Sequence, residues 1–155
     1  MCSPTPIVPR AKRSRGNRVV NVAFLDTSGW FAALSPKEAK HRIALASYRE
    51  WIESGARLVT TNLVVAEMQI LLSRFRGPAE GLRFLDSLYQ DATHEVVFVD
   101  RDTERAAVDR WLRRFSDQRL SLADAVSFEV MRARRIRQAL ALDEHFELAG
   151  FELVP

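Results

Sequence analysis

The chain has 155 residues, of which 47% are hydrophobic, and a formal net charge of +3, values that suit one globular domain with a sizeable core. Its single cysteine, Cys2, excludes an internal disulfide and a metal site built on several cysteines. No apolar run approaches the roughly 20 residues that cross a bilayer, and none ends in a cleavage signature, so we expect a cytoplasmic protein.

The first 18 residues differ in composition from the rest. They are rich in Pro and Ser, show no hydrophobic period and contain five cations without an acid: Arg10, Lys12, Arg13, Arg15 and Arg18. This composition predicts a flexible basic leader over 1–18 and a folded domain over 19–155. Outside the leader, 18 basic residues stand against 20 acidic ones. The leader is either an extension without a role or an arm that attracts phosphate.

From Val19 onward, short apolar runs alternate with longer amphipathic ones, which is the pattern of a parallel sheet covered by helices. The predicted strands are VVNVAFL (19–25), RLVTT (57–61), HEVVFV (94–99), QALAL (138–142) and a short edge strand FELVP (151–155). The predicted helices cover 37–54, 64–75, 78–91, 103–117 and 122–136. Gly55 is expected to end the first helix as a C-cap. We therefore expect an α/β fold with a central, mainly parallel sheet of four to five strands.

Two aspartates directly follow predicted strands. Asp26 comes after VVNVAFL, and Asp143 comes after QALAL. Reactive groups of parallel α/β sheets gather at the carboxyl ends of the strands, so both positions suit a functional site. Each also has a structural alternative, since Asp26 suits a helix N-cap and Asp143 suits a turn.

Two further acids lie on predicted helices beside apolar residues. Glu67 has Leu63, Val64, Ile70 and Leu71 three or four positions away, so we expect its side chain to leave an apolar stripe and to pair with an arginine or a metal. Asp124 has Leu120 and Phe128 four positions to either side. Its structural alternative is a capping box, in which Ser121 caps the helix and Asp124 reaches back to it.

Four acids converging on one edge of the sheet would repel one another, and a divalent cation would offset that repulsion. Ligands that are all carboxylates favour Mg²⁺ or Mn²⁺. Zinc is disfavoured because His41, His94 and His145 are scattered without ligand spacing. We interpret these histidines as surface or packing residues.

The segments FLDTSGWFAAL, TTNLVVAEM, SLADAVSFEVMRARRI and ALALDEHFELAGFELV, in this order, resemble the PIN-domain family, and specifically the VapC-type toxins of bacterial toxin–antitoxin systems. The resemblance runs from about Val22 to Pro155 and implies a three-layer α/β/α fold. It assigns the family's four catalytic and metal-binding acids, one by one, to these positions: Asp26, Glu67, Asp124 and Asp143. It also places supporting polar groups at Ser28 and Ser121.

The resemblance implies a metal-dependent endoribonuclease that is silenced by a cognate antitoxin and commonly forms a homodimer. A bound Mg²⁺ or Mn²⁺ would activate water and steady the leaving 3′-oxygen, leaving 5′-phosphate and 3′-hydroxyl ends. One of the four acids could also accept the proton of the attacking water. The basic leader departs from the family, whose first strand typically begins within a few residues of the initiator methionine.

Contacts to RNA phosphates are expected from two arginine-rich stretches, with these candidates: Arg110, Arg113, Arg114, Arg132 and Arg135. A solvated helix face or an anchor for an acidic partner explains the same residues. Alternative functions are a PIN-fold nuclease that acts on DNA or in RNA maturation, and a non-catalytic RNA-binding module, although such a module is expected to lack one of the acids. A phosphoacceptor protein is disfavoured, because Ser28 stands where such phosphatases have a second aspartate and no lysine follows Lys40.

Overall fold

The computed structural model describes residues 22–154; the leader predicted over 1–18 lies outside the described residues, as do 19–21 and 155. Five strands of the described residues form one sheet: β1 Val22–Leu25, β2 Arg57–Thr61, β3 His94–Val97, β4 Gln138–Leu140 and β5 Glu152–Leu153. Their order is β3-β2-β1-β4-β5, and every neighbouring pair is parallel. The predicted α/β class with a parallel sheet is confirmed.

Helices alternate with these strands along the described residues: α1 Thr27–Leu34, α2 His41–Ser54, α3 Asn62–Arg76, α4 Pro78–Gln90, α5 Arg101–Ala107, α6 Leu122–Ala133 and α7 His145–Leu148, with a π-helical segment at Val108–Leu112 after α5. The first predicted helix begins later than expected, at His41, because turns occupy the residues before it. Gly55 ends α2 in the left-handed conformation (φ 78°), as predicted. The sequence suggested α1 only through the N-cap alternative for Asp26, and it did not predict α7.

The order of the strands creates a switch point between β1 and β4. The chain moves outward from β1 through β2 to β3, and then returns to β4 and β5 on the other side of β1. Right-handed crossovers therefore place α1–α4 on one face of the sheet and α5–α7 on the other. The packing agrees, since α1 contacts α2 and α3, α3 contacts α4, and α5 contacts α6. Ligands of open α/β sheets bind beside such a switch point, outside the carboxyl ends of the strands.

Helix α1 lies directly against the backbone of β4. A Cβ atom at Gly29 would stand 2.4 Å from the carbonyl carbon of Leu140 and 2.7 Å from the nitrogen of Ala141. Only glycine allows this approach, which holds the first turn of α1 at the switch point. The next residue, Trp30, is fully buried and packs edge-on against Phe84 of α4, with ring centroids 5.0 Å apart.

The helices of the described residues fall short of membrane-spanning helices in length or in hydropathy. None of those between residues 22 and 154 combines the length and the apolar character that a bilayer-spanning helix needs.

Candidate active site

Asp26 occupies the switch point itself. It follows β1, and its backbone N–H donates to the Leu140 carbonyl of β4 at 3.1 Å. Its residue surface is only 6% exposed. The carboxylate oxygen Oδ2 accepts hydrogen bonds from the Ser28 N–H at 3.0 Å and from the Ser28 hydroxyl at 2.5 Å, so Asp26 is also the N-cap of α1. The structural alternative considered for this residue is therefore present.

Desolvation dominates the electrostatics of Asp26. Burial, the largest cause, raises the pKa of its carboxyl, the hydrogen bonds from Ser28 lower it, and the charge of Asp124 adds a smaller increase; the net pKa is about 6. Among the described residues, no cation pairs with Asp26. A buried carboxylate without a cation is costly, so its environment favours either a proton or a positively charged ligand.

Ser28 links the ends of β1 and β4. Its hydroxyl donates to Asp26 Oδ2 and accepts a hydrogen bond from the Leu142 N–H at 2.9 Å. A hydroxyl can donate and accept at once, which an apolar side chain of similar size cannot do. Ser28 therefore fixes the direction of the Asp26 carboxylate relative to the strand that leads to Asp143.

Glu67 is half-buried on α3, and its partner is a hydroxyl group. The Thr27 hydroxyl donates to Glu67 Oε2 at 2.5 Å, which ties α3 to the first turn of α1. Of the two partners that the sequence suggested, an arginine or a metal, the arginine is not found in the described part of the chain. The predicted apolar stripe also differs, since Ile70 is 60% exposed and the buried side of α3 runs through Val64, Val65, Met68 and Leu72.

Asp124 closes a capping box at the start of α6. Its Oδ2 accepts hydrogen bonds from the Ser121 N–H and hydroxyl, both at 2.8 Å, and its own N–H donates to Ser121 Oγ at 3.0 Å. This is the structural alternative considered from the sequence. The charge of Asp124 also contributes to the raised pKa of Asp26.

Asp143 follows β4 and faces His145. Its Oδ1 accepts a hydrogen bond from the His145 N–H at 3.0 Å, and the ring nitrogen Nδ1 lies 2.7 Å from the same oxygen without hydrogen-bond geometry. The sequence interpretation gave His145 no part in the site. Both residues line an open cavity of about 760 Å³, together with Gln118 and Leu142.

The four acids share the carboxyl edge of the sheet, but their side chains do not form a closed cluster. Between residues 22 and 154, no group of three or more His, Cys, Asp or Glu side chains is arranged to hold a metal ion. Each carboxylate instead accepts hydrogen bonds from nearby hydroxyl or amide groups. The oxygen ligands nevertheless fit Mg²⁺ or Mn²⁺ in kind, because all four side chains are carboxylates. Asp26 is buried, has no cation partner among the described residues, and has a pKa that the charge of Asp124 helps to raise.

The candidate arginines are mostly engaged within the protein. Arg110 and Arg132 both pair with Glu129, at 3.2 and 2.7 Å, and Trp111 Nε1 donates to the same carboxylate at 3.0 Å. Burial raises the pKa of Glu129, but these hydrogen bonds outweigh it and hold the pKa below its usual value. Arg113 pairs with Asp109 at 2.9 Å.

Two of these arginines are distant from the acids. Arg132 lies eight residues after Asp124 on α6, about 12 Å along the helix axis, and Arg135 follows the end of that helix. Both therefore lie toward the amino ends of the strands. The length of α6 separates them from the carboxyl edge, so any contact that Arg132 and Arg135 make with RNA phosphates lies away from the four acids and stays a prediction.

Comparison with known proteins identifies relatives over nearly the whole described region. The model of the PIN domain family matches residues 23–152. The 23S rRNA-specific endonuclease VapC20 of Mycobacterium tuberculosis is 34% identical over 128 residues, which cover 83% of this chain and 94% of the relative. The VapC ribonuclease of Archaeoglobus fulgidus is 27% identical over 127 residues, which cover 81% of this chain and 80% of the relative.

A solved structure agrees with these matches. The crystal structure of VapC20 from Mycobacterium tuberculosis, described as a sarcin–ricin loop cleaving toxin, aligns with a TM-score of 0.75 at 30% sequence identity. The alignment covers 84% of this chain and 96% of that one.

Proposed function

The chain belongs to the PIN-domain family, and from that premise we propose that it is a VapC-type endoribonuclease that hydrolyses RNA phosphodiester bonds with Mg²⁺ or Mn²⁺. The observation that carries the proposal is Asp26, a buried carboxylate at the switch point without a cation partner among the described residues, whose pKa burial raises to about 6. Such a carboxylate destabilises the fold unless a proton or a cation compensates it. A functional requirement explains why it is there.

A bound divalent cation would supply an activated water and would offset negative charge on the phosphate. The chain's own residues prepare the place for it. Ser28 fixes the Asp26 carboxylate against the ends of β1 and β4, and the Thr27 hydroxyl holds Glu67 toward the same turn. Asp124 is oriented by the hydrogen bond that the Ser121 N–H donates to it, and Asp143 by the one that the His145 N–H donates. These four are the acids that we propose as ligands, with Ser28 and Ser121 as their supports.

The substrate and the partners of this protein are part of the same proposal. VapC20 is described as acting on 23S rRNA at the sarcin–ricin loop, so a structured RNA with an exposed loop is the substrate class that we propose here. The toxin interpretation also includes a cognate antitoxin, which would cover the four acids at the carboxyl edge of the sheet. It further includes a homodimer and a cytoplasmic location.

RNA cleavage by the purified full-length protein tests this function. We expect cuts in cellular RNA, including 23S rRNA, with Mg²⁺ or Mn²⁺ and none with EDTA. Asp26→Asn and Asp124→Asn should each lower the rate by about 100-fold or more, because the cation contributes several kcal/mol to such reactions. The matched control is Asp86→Asn, which changes an exposed aspartate on α4 and should leave cleavage unchanged.

Two outcomes would count against the proposal. Intact RNA under every metal condition, with mass spectrometry showing that no antitoxin copurified, would contradict ribonuclease activity. Equal cleavage of DNA and RNA oligonucleotides of the same sequence would favour a less selective nuclease of the same fold.

A further inference from the structure

Phe98 is the most exposed large hydrophobic side chain of the described residues, with 69% of its surface accessible. It was predicted to lie within a strand, but β3 ends one residue earlier, at Val97. Phe98 therefore stands at the carboxyl edge of the sheet, the edge at which Asp26 and Asp143 follow β1 and β4. Its position, and not its exposure alone, sets Phe98 apart from the other exposed apolar residues, since its ring is open to a ligand that binds at this edge.

The backbone on the carboxyl side of Phe98 is fixed at two points. The Val99 N–H donates to the side-chain oxygen of Asn62, the first residue of α3, at 2.9 Å. The Asp100 carboxylate accepts from the Thr103 N–H at 2.8 Å and so caps α5. Val97 and Val99 pack against the core on either side of the exposed ring. The backbone on both sides of the exposed ring is thus held in place.

The sheet brings this ring close to the acids. Strand β3 pairs with β2, and β2 pairs with β1, so two strand spacings, about 10 Å, separate the end of β3 from the end of β1. That span is about three nucleotide steps at the ~3.4 Å spacing of stacked bases. Asn62, which holds the Phe98 segment, also begins the helix that carries Glu67.

We propose that Phe98 stacks on an unpaired base of the RNA substrate, close to the scissile phosphate. Proteins that bind RNA loops and single strands stack unpaired bases on aromatic side chains, and a base paired in a helix does not offer its face in this way. Phe98 would therefore contribute to selecting unpaired regions of RNA. This inference rests on the proposed ribonuclease function and adds a binding residue outside the four acids.

Tyr89 provides a matched control. It is 59% exposed, which is close to Phe98, and lies in the last turn of α4, shortly before β3 begins at His94. Its position is therefore toward the amino edge of the sheet, away from the acids. Removal of its ring changes a similar exposed aromatic surface without touching the carboxyl edge.

The kinetic test uses a hairpin RNA that carries the sarcin–ricin loop. We expect Phe98→Ala to lower kcat/KM between about 5-fold and 150-fold, which corresponds to the ~1–3 kcal/mol contributed by one stacked base. Phe98→Trp should retain activity, because it keeps an aromatic face, and Tyr89→Ala should stay within 2-fold of the unchanged protein. When the RNA carries an abasic unit at the stacked position, the unchanged protein and Phe98→Ala should have the same kcat/KM. Equal activity of Phe98→Ala and Tyr89→Ala would overturn the proposal.

A binding test in EDTA separates this inference from the ribonuclease proposal. The same hairpin carries 2-aminopurine in its loop, and its fluorescence reports stacking without any cleavage. Quenching that is lost in Phe98→Ala but kept in Tyr89→Ala supports the stacking role, even for a protein that cuts no RNA. Quenching that persists in Phe98→Ala overturns it, even for an active nuclease, and would direct attention to a protein partner for this ring.

Discussion

Asp26 is buried between the ends of β1 and β4, and Ser28 alone supplies side-chain hydrogen bonding to it among the described residues. The pKa of its carboxyl, about 6 in the folded protein, lies above the ordinary value of 3.8. The folded state therefore holds this proton more tightly than the unfolded chain does. As the pH rises from about 4 to about 6, ionisation of Asp26 lowers the free energy of unfolding, and above pH 6 this loss of stability is complete.

Asp26→Asn should therefore stabilise the metal-free protein at neutral pH, by about 2–3 kcal/mol from the pKa shift. The amide oxygen can still accept the hydrogen bond from the Ser28 N–H. Denaturant unfolding in EDTA should show a gain that is small at pH 4.5 and grows toward pH 7.5. Burial lowers the pKa of His94 to about 4, so this residue makes the free energy of unfolding rise with pH. The effect is the same in both proteins and cancels in their difference. A gain that does not change with pH would contradict this explanation.

Ser28→Ala should destabilise the fold by about 1–2 kcal/mol, because the Leu142 N–H loses its acceptor and Asp26 loses one of its donors. The second loss should raise the pKa of Asp26 further. Urea unfolding measures the first effect, with Ser116→Ala as an exposed serine control. If both variants unfold at the same urea concentration, the Ser28 hydroxyl does not link the two strands.

At the scale of elements, the contact between α1 and β4 determines where Asp26 and Ser28 lie. Alanine normally favours a helix over glycine by about 1 kcal/mol, yet a Cβ at Gly29 would overlap the backbone of Leu140. We expect Gly29→Ala to cost about 3 kcal/mol, because backbone of a central strand cannot move aside easily.

Gly81→Ala on α4 is the comparison for that prediction. Its Cβ would meet first the hydroxyl oxygen of Ser73, a side chain that can rotate away. Thermal unfolding should therefore show a much smaller loss for Gly81→Ala than for Gly29→Ala. Equal losses would mean that the approach of α1 to β4 is not a constraint on the fold.

The start of α6 combines a structural role with a proposed functional one. Asp124 closes a capping box with Ser121, and the same carboxylate is a proposed metal ligand. A cation would have to share or displace the hydrogen bonds that Ser121 now donates. The capped helix keeps Asp124 at the sheet edge before any cation binds, which limits the reorganisation that binding requires.

At the scale of the molecule, the sequence predicted the parallel sheet because strand-length apolar runs and amphipathic helices differ clearly in period. Helix α1 entered only as the N-cap alternative for Asp26, since its residues from Gly29 to Ala33 are largely buried and show little amphipathic period. The early end of β3 was missed, because Phe98 continues the apolar run although it lies in water.

The candidate site divides in the same way. The positions of the four acids followed from family motifs, whereas their partners depended on tertiary contacts. Thr27 meets Glu67 across 40 positions of sequence, and Ser28 meets Leu142 across 114. A local sequence pattern cannot predict contacts between residues so far apart along the chain. Nearness in sequence is also no guide to the position of the arginines. Arg132 lies on the same helix as Asp124 but eight residues further along, away from the acids.

Titration of the metal-free protein with Mn²⁺ in a calorimeter tests most directly whether these acids form one metal site. We predict saturable binding that Asp26→Asn and Asp124→Asn each weaken by about 10-fold or more, since even the loss of a ligand's supporting partner has such an effect. Asp86→Asn should bind as the unchanged protein does. Identical titrations for all four proteins would contradict a metal site at the carboxyl edge of this sheet.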